Sequence, residues 1–297
     1  MCNTWMFPSD VSEELEPRYY ESLPPVKFLN ITGGEPFIRE DLEEIVRIVR
    51  PKSRRICVST NGYFTERVVA LAEKFPDLGF RISLEGLPAA NDELRGIKDG
   101  FDHGLRTLLQ LRRLGIKDIG FGITVSDRNA KDLLELYELA KGLGVEFATA
   151  VLHNGYYFHK EDNRIEKTEE VSEAFRQLIR ELFKTRRPKN WFRAYFNHGI
   201  INYVNGGKRL LPCDMGTDIF MVDPFGEVYP CNVLQESMGN IKGASFGEIW
   251  NSERARVVRE KARDCGKQCW MIGSVSPAIK KQKWTVLKWI ARNKWSY

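Results

Sequence analysis

The feature that most constrains this chain is an alternation repeated along its first two-thirds: a short run of β-forming residues, then a segment with apolar residues at helical spacing. The β-like runs are Val26–Ile31, Arg55–Ser59, Phe80–Leu84, Ile119–Val125 and Val145–Val151. Between them lie Leu42, Ile45, Val46 and Val49, then Val68, Leu71 and Ala72, then Leu133, Leu136, Tyr137 and Ala140, each set on one helical face. Thr65 and Asp102 are placed to start helices, and Gly115 and Gly144 to close them just before the next strand. Strands joined by helices pair in parallel, because a helix is the easiest crossover. The expected class is therefore α/β, a parallel sheet with helices outside. A closed eight-stranded barrel takes about 250 residues, so five strands point to an open, partial barrel.

Beyond Gly155 the rhythm changes. A polar stretch leads into a helix carrying Val171, Phe175, Leu178 and Leu182, which ends before Pro188. Residues 189–211 read as a linker helix rich in aromatics. Asp218–Val222 and Glu227–Tyr229 flank Asp223-Pro224-Phe225-Gly226, a hairpin turn, and a helix over 246–263 runs into Cys265. The expected plan is a partial barrel over 1–188, the linker helix over 189–211, a small cysteine-containing domain over 212–273 and a basic amphipathic tail over 274–297.

Composition narrows the partners. The net charge of +5 is mild and the Lys and Arg residues are dispersed, so nucleic-acid binding is not expected. No stretch is apolar for long enough to span a bilayer, and the N-terminus shows no export signal. The expected location is cytoplasmic, where six cysteines do not read as disulfides. Four of them, Cys213, Cys231, Cys265 and Cys269, fall in the last third. The hairpin would bring Cys213 and Cys231 to one point, and the helix after it would deliver the other pair. Four thiolates close a [4Fe–4S] or a Zn²⁺ site; unligated core cysteines are the third reading. Cys57, in an apolar run, reads as a small buried hydrophobe.

Polar motifs follow the first three β-like runs: Thr32-Gly33-Gly34-Glu35-Pro36, Ser59-Thr60-Asn61-Gly62 and Ser83-Leu84-Glu85-Gly86. Ligands of parallel α/β folds gather at the C-terminal ends of strands. Glycines there let backbone approach a ligand, and Glu35 would offer its carboxylate to a cation.

Together with Met1-Cys2-Asn3-Thr4-Trp5, these motifs make the chain resemble the radical S-adenosylmethionine (SAM) iron–sulfur enzymes. The resemblance implies a partial (β/α)6 radical SAM barrel lacking its first strand, followed by a small α+β SPASM/twitch-like domain. It makes Cys2 the third ligand of a C-x3-C-x2-C loop holding a catalytic [4Fe–4S] cluster, a site incomplete in this sequence. Gly33, Gly34, Glu35 and Pro36 match the motif that holds the SAM amino group. Ser59, Asn61 and Ser83 match later strand-end motifs, Arg95 the contact to the SAM carboxylate, and Asn129 a position near the adenosine. Glu85 stands where the family more often has Asp. The spacing Cys213-x12-Gly226-x4-Cys231 resembles the opening of SPASM domains, and four cysteines imply one auxiliary [4Fe–4S] cluster.

The implied activity is reductive cleavage of SAM to a 5′-deoxyadenosyl radical that abstracts hydrogen from a peptide or small-molecule substrate, with a reducing electron donor as partner. No catalytic side chain is assigned. With two cluster cysteines absent, the polypeptide as written is expected to be inactive, its N-terminus misassigned or lost. The alternative is a catalytically inactive remnant holding one cluster for electron transfer or scaffolding. His153 and His159, with Tyr156 and Tyr157, are expected to face either substrate or solvent. His103 reads as a surface or capping residue and His198 as a packing one. The tail from Pro277 to Tyr297, basic and Trp-bearing, suits either a membrane surface or packing of its apolar face on the barrel, and packing is the expectation.

Overall fold

The computed structural model describes residues 1–297. Five parallel strands form one sheet in sequence order: β1 (Leu29–Ile31), β2 (Ile56–Thr60), β3 (Gly79–Ser83), β4 (Ile119–Val125) and β5 (Glu146–Val151). A sheet whose spatial order follows the chain is the natural product of repeated crossovers in one direction. Crossover helices α1 (Leu42–Val49), α2 (Thr65–Lys74), α3 (Pro88–Arg95), α4 (Gly100–Arg113) and α5 (Leu133–Leu143) lie between the strands. Leu42, Ile45, Val46 and Val49 form the buried face of α1, as their spacing predicts. Gly115 and Gly144 take positive φ at helix ends and turn the chain into the next strand. Between β4 and β5 the backbones are so close that a Cβ on Gly120 would stand 2.0 Å from the Glu146 carbonyl oxygen.

The first β-like run is shorter than expected. Val26 makes only an isolated bridge to Ser53, and the ladder with β2 begins at Leu29. β1 is an edge strand whose Phe28 flank is exposed, so burial does not extend the pairing.

Helix α6 (Thr168–Lys184) packs along α7 (Pro188–Val204). The expected linker helix is thus part of the core, with Ala194, Tyr195, Phe196, Gly199 and Ile200 buried. A small antiparallel sheet follows: β6 (Met221–Val222), β7 (Glu227–Tyr229) and β8 (Gly239–Asn240). Its turn is as expected: the Asp223 carboxylate accepts the Phe225 and Glu227 N–H groups at 2.9 Å, and Gly226 takes φ +93°. The single helix expected over 246–263 is two, α8 (Phe246–Trp250) and α9 (Glu253–Arg263). The break comes where the Ser252 hydroxyl accepts the Ala255 N–H at 3.1 Å and caps a new helix.

The tail is also two helices, α10 (Ile272–Lys281) and α11 (Lys283–Asn293). Val286 and Ile290 are buried, and Trp289 packs against Phe183, Tyr195 and His198. The apolar face of α11 therefore lies on α6 and α7, while Trp284 and Trp295 stay exposed. No helix is long and apolar enough to cross a membrane.

Candidate functional site

The N-terminal loop lies over the end of β1. The Asn3 N–H donates to the Phe158 carbonyl at 2.8 Å, and the Thr4 hydroxyl to that of Tyr157 at 3.3 Å. A Cβ on Gly34 would come within 3.8 Å of Thr4 Cγ2, and one on Gly33 within 3.6 Å of the Tyr157 hydroxyl oxygen. The half-buried Cys2 sulfur receives the Thr4 N–H at 3.4 Å and stands 2.7 Å from the Thr4 hydroxyl oxygen.

The structure assigns Glu35 a task different from the expected one. One carboxylate oxygen accepts the Phe37 N–H at 3.1 Å and the Thr60 hydroxyl at 2.6 Å, and the other accepts the Asn61 N–H at 2.7 Å. The side chain ties the end of β1 to the end of β2. No backbone N–H donates to the Gly33 or Gly34 carbonyls, which leaves those oxygens for an ammonium group. Pro36 is buried at the start of a short 3-10 turn. Ser59 donates to the Asn30 amide oxygen at 3.1 Å, the Asn61 amide oxygen accepts the Tyr63 N–H at 2.8 Å, and Ser83 ends β3 half-buried.

At the ends of β3 and β4, Glu85 is 3% exposed and accepts from Arg95 at 2.7 Å and from the Thr124 N–H at 2.7 Å. Arg95 keeps a buried Nε–H with no partner. An unpaired buried donor is costly, and a ligand carboxylate would satisfy it. Asn129 is fully buried. Its amide donates to the Glu85 and Thr124 carbonyls at 2.8 and 3.0 Å and accepts from the Ser126 N–H and hydroxyl at 2.7 and 3.1 Å. It braces the loops from inside rather than presenting a free polar group. Sequence reading missed two similar braces: Asn91 accepts the Glu85 N–H at 2.9 Å, and Asp132 accepts the Leu87 N–H at 2.9 Å. Neither has a local signal, because both act on backbone brought near by the fold.

In the C-terminal part, Cys231 Sγ receives the Val233 and Leu234 N–H groups at 3.4 and 3.3 Å. Burial raises the Cys231 thiol, and Cys213 and Cys265 raise it further. Burial first, then Cys231, Cys265 and Cys213, push the Cys269 thiol up to about 11. The four sulfurs therefore stand near enough for one ionisation to oppose the next. Yet no three His, Cys, Asp or Glu side chains are close enough to hold a single ion. Four thiols gathered in one region, two amide donors already on one of them, form a donor set that suits an iron–sulfur cluster or zinc.

This cysteine loop is fastened to the barrel. Trp270, 1% exposed, donates its indole N–H to the Phe196 carbonyl at 2.8 Å, and its backbone N–H points at His153 Nε2 at 3.2 Å. His153 Nδ1 stands 2.7 Å from the Val151 carbonyl, which makes Nδ1 the protonated nitrogen. His153 thus faces neither substrate nor solvent, whereas His159 is exposed and stacked on Phe7 at 4.2 Å. Burial pushes the His153 imidazole down to about 4. Between that value and about 6.5 the unfolded chain binds a proton that the folded chain does not, so stability falls as pH drops through this window. The full loss is about 3 kcal/mol, at about 1.4 kcal/mol per pH unit. Urea melts at pH 7 and pH 4.5 are expected to differ less for His153→Gln than for the unaltered chain; equal differences would remove His153 from the account.

Comparison with known proteins agrees with this geometry. The radical SAM superfamily model matches residues 4–140, and the SPASM model, described as an iron–sulfur cluster-binding domain, matches 213–270. The AdoMet-dependent heme synthase of Methanosarcina barkeri is 30% identical over 270 residues, covering 80% of this chain and 72% of that one. The mycofactocin maturase MftC of Mycolicibacterium smegmatis is 28% identical, covering 84% and 63%. The pre-heme d1 synthase of Dinoroseobacter shibae is 26% identical, covering 76% and 61%. For those last two the chain spans less than two thirds of the relative's length. Among solved structures, anSMEcpe with bound AdoMet and Cp18Cys peptide superposes with a TM-score of 0.62 at 14% identity, covering 98% of this chain and 95% of that one. SuiB of Streptococcus suis gives 0.60 at 14% identity, covering 80% and 57%. At such identity the likeness is one of fold. The chain belongs to the radical SAM superfamily and carries a SPASM iron–sulfur cluster-binding domain after its partial barrel.

Proposed function

We propose that this chain is the body of an enzyme that cleaves SAM reductively and uses the resulting radical to abstract hydrogen from a peptide or small molecule. The observation that carries the reading is the stacking of the Cys2 loop on Gly33-Gly34, beside the brace of Glu35 to Thr60 and Asn61. Cys2 is the one thiolate of this sequence at the catalytic cluster, with Cys213, Cys231, Cys265 and Cys269 holding one auxiliary [4Fe–4S] cluster. When bound, the reduced catalytic cluster and SAM supply the electron transfer and the 5′-deoxyadenosyl radical.

The residues here bind and orient. Gly33 and Gly34 carbonyls accept the SAM ammonium. Arg95, aligned by Glu85, donates its free Nε–H to the carboxylate. Asn129 and Asn91 keep the Glu85 backbone in place for that pairing. Tyr157 lies near Cys2, and Tyr156 lies near Cys231, its ring 5.1 Å from that of Tyr229 and its hydroxyl buried without a partner. The substrate would sit beside these tyrosines, between the Cys2 loop and the C-terminal cysteines.

The test is anaerobic incubation with SAM and dithionite of a chain in which a C-x3-C segment precedes Cys2, with 5′-deoxyadenosine as the readout. Product is expected, with methionine in equal amount. A cluster-loaded protein giving none would favour the alternative, a catalytically inactive protein holding one cluster for electron transfer or scaffolding. In the active form, Arg95→Met is expected to weaken SAM binding about tenfold or more, as loss of a charge-assisted hydrogen bond does. Equilibrium dialysis with labelled SAM measures it.

A further inference from the structure

Arg209 is a half-buried cation with no carboxylate hydrogen-bonded to it. Its Nε donates to the Leu211 carbonyl at 2.8 Å, and its terminal nitrogens to the carbonyls of Cys269, Pro212 and Ser274 and to the Ser274 hydroxyl at 3.2 Å. Its backbone N–H binds the Gln268 side chain at 2.7 Å, and the guanidinium lies 5.4 Å from the Trp270 ring centroid. One side chain thus holds the segment before Cys213 and the segment containing Cys269. The nearest carboxylate that it feels is Asp214, which pairs with Lys281 at 3.1 Å. A half-buried guanidinium surrounded by neutral carbonyls alone loses part of its hydration, and a negative partner would offset that loss. The guanidinium bonds the carbonyls of Cys269 and of Pro212, the residue before Cys213, so the groups carried by the segments it holds that can become negative include both thiols.

We propose that Arg209 is the counter-cation of the auxiliary cluster and raises its reduction potential. The proposal rests on the reading of the four cysteines as a cluster site. A [4Fe–4S] cluster with four thiolates is a dianion when oxidised and a trianion when reduced, so a fixed positive charge stabilises the reduced form more. The other contacts of Arg209 would hold the loops equally well in either redox state; only its charge discriminates between them.

The experiment uses the 297-residue chain with Cys2→Ala, so that bound iron belongs to the four-cysteine site. Iron and zinc content, the anaerobic visible spectrum and a potentiometric titration followed by EPR are measured with Arg209 intact, Arg209→Met and Arg209→Lys. Arg209→Met is expected to lower the reduced-to-oxidised ratio at a fixed potential at least tenfold, about 59 mV for a one-electron couple. Arg209→Lys, which keeps the charge, is expected to stay closer to the unaltered chain. If Arg209→Met takes up no cluster, retention by Arg209→Lys supports the charge role, and loss in both overturns it in favour of a purely geometric one. A loaded Arg209→Met with unmoved potential overturns it too, as does Arg209→Lys shifting as far as Arg209→Met. Zinc without iron in the chain with Arg209 intact sinks the cluster reading itself, a failure distinct from the others.

Discussion

Cys231→Ala is expected to abolish iron binding at the C-terminal site, from a full cluster complement to background, when Cys2 is also alanine. A [4Fe–4S] cluster with four thiolates has one on each iron, so removing one of the four leaves an iron open to solvent. Cys231 is also the sulfur that receives two backbone N–H groups, from Val233 and Leu234. Removing it leaves those donors without their acceptor and opens the turn after the β6–β7 hairpin. Cys57→Ala is the control: Cys57 is buried in β2, its thiol raised by burial, far from the other cysteines in the sequence. It should retain full iron at a cost of about 1 kcal/mol from the lost sulfur packing. Iron retained in Cys231→Ala would show that the site is not the four-cysteine cluster described.

The second large effect concerns how that site is anchored. Gly199→Ala is expected to destabilise the protein by about 3 kcal/mol, the upper part of the range for overpacking a filled core. The added Cβ would stand 2.0 Å from Trp270 Cε2, and the ring has nowhere to retreat. It is 1% exposed, hydrogen-bonded to Phe196 and flanked by Arg209. Displacing it pulls on the Cys269 loop and on the contact with His153. For a chain of this size the melting temperature should fall by roughly 6 °C or more. Gly142→Ala serves as the contrast, since it lies in α5 with open space where its Cβ would go. There the exchange should stabilise by about 0.5–1 kcal/mol through helix propensity. Calorimetry of the two variants separates the packing argument from a general dislike of alanine.

The legibility of the site differed from residue to residue. That Gly33, Gly34, Ser59 and Asn61 lie at strand ends was readable because strand-end loops announce themselves by glycine and small polar residues after an apolar run. The direction of Glu35 was not, since whether a carboxylate meets a ligand or its neighbours depends on Thr60 and Asn61, which arrive from the next strand. Asn129 stood out by its position and proved to be an internal brace. His153, read as facing substrate or solvent, is the buried acceptor for Trp270. Trp270 and Asp132 carried no signal, because their partners are distant in the chain; Asn91 and Arg209 bond partners close in sequence, but no turn or repeat pattern marks them.

By itself the sequence determined the order of elements, the parallel sheet, the strand-end motifs and the cysteine spacing. Each of these follows from periodicity, turn chemistry or ligand spacing within a few dozen residues. Only the tertiary structure decided how the two ends of the site are tied together. Glu35 joins β1 to β2, Arg95 joins Glu85 while keeping one donor free, Trp270 fastens the Cys269 loop to His153 and Phe196, and Arg209 ties that loop to the segment before Cys213. The physical reason is that burial makes each polar atom's partner obligatory, and in a packed core those partners come from whichever segment the fold brings alongside.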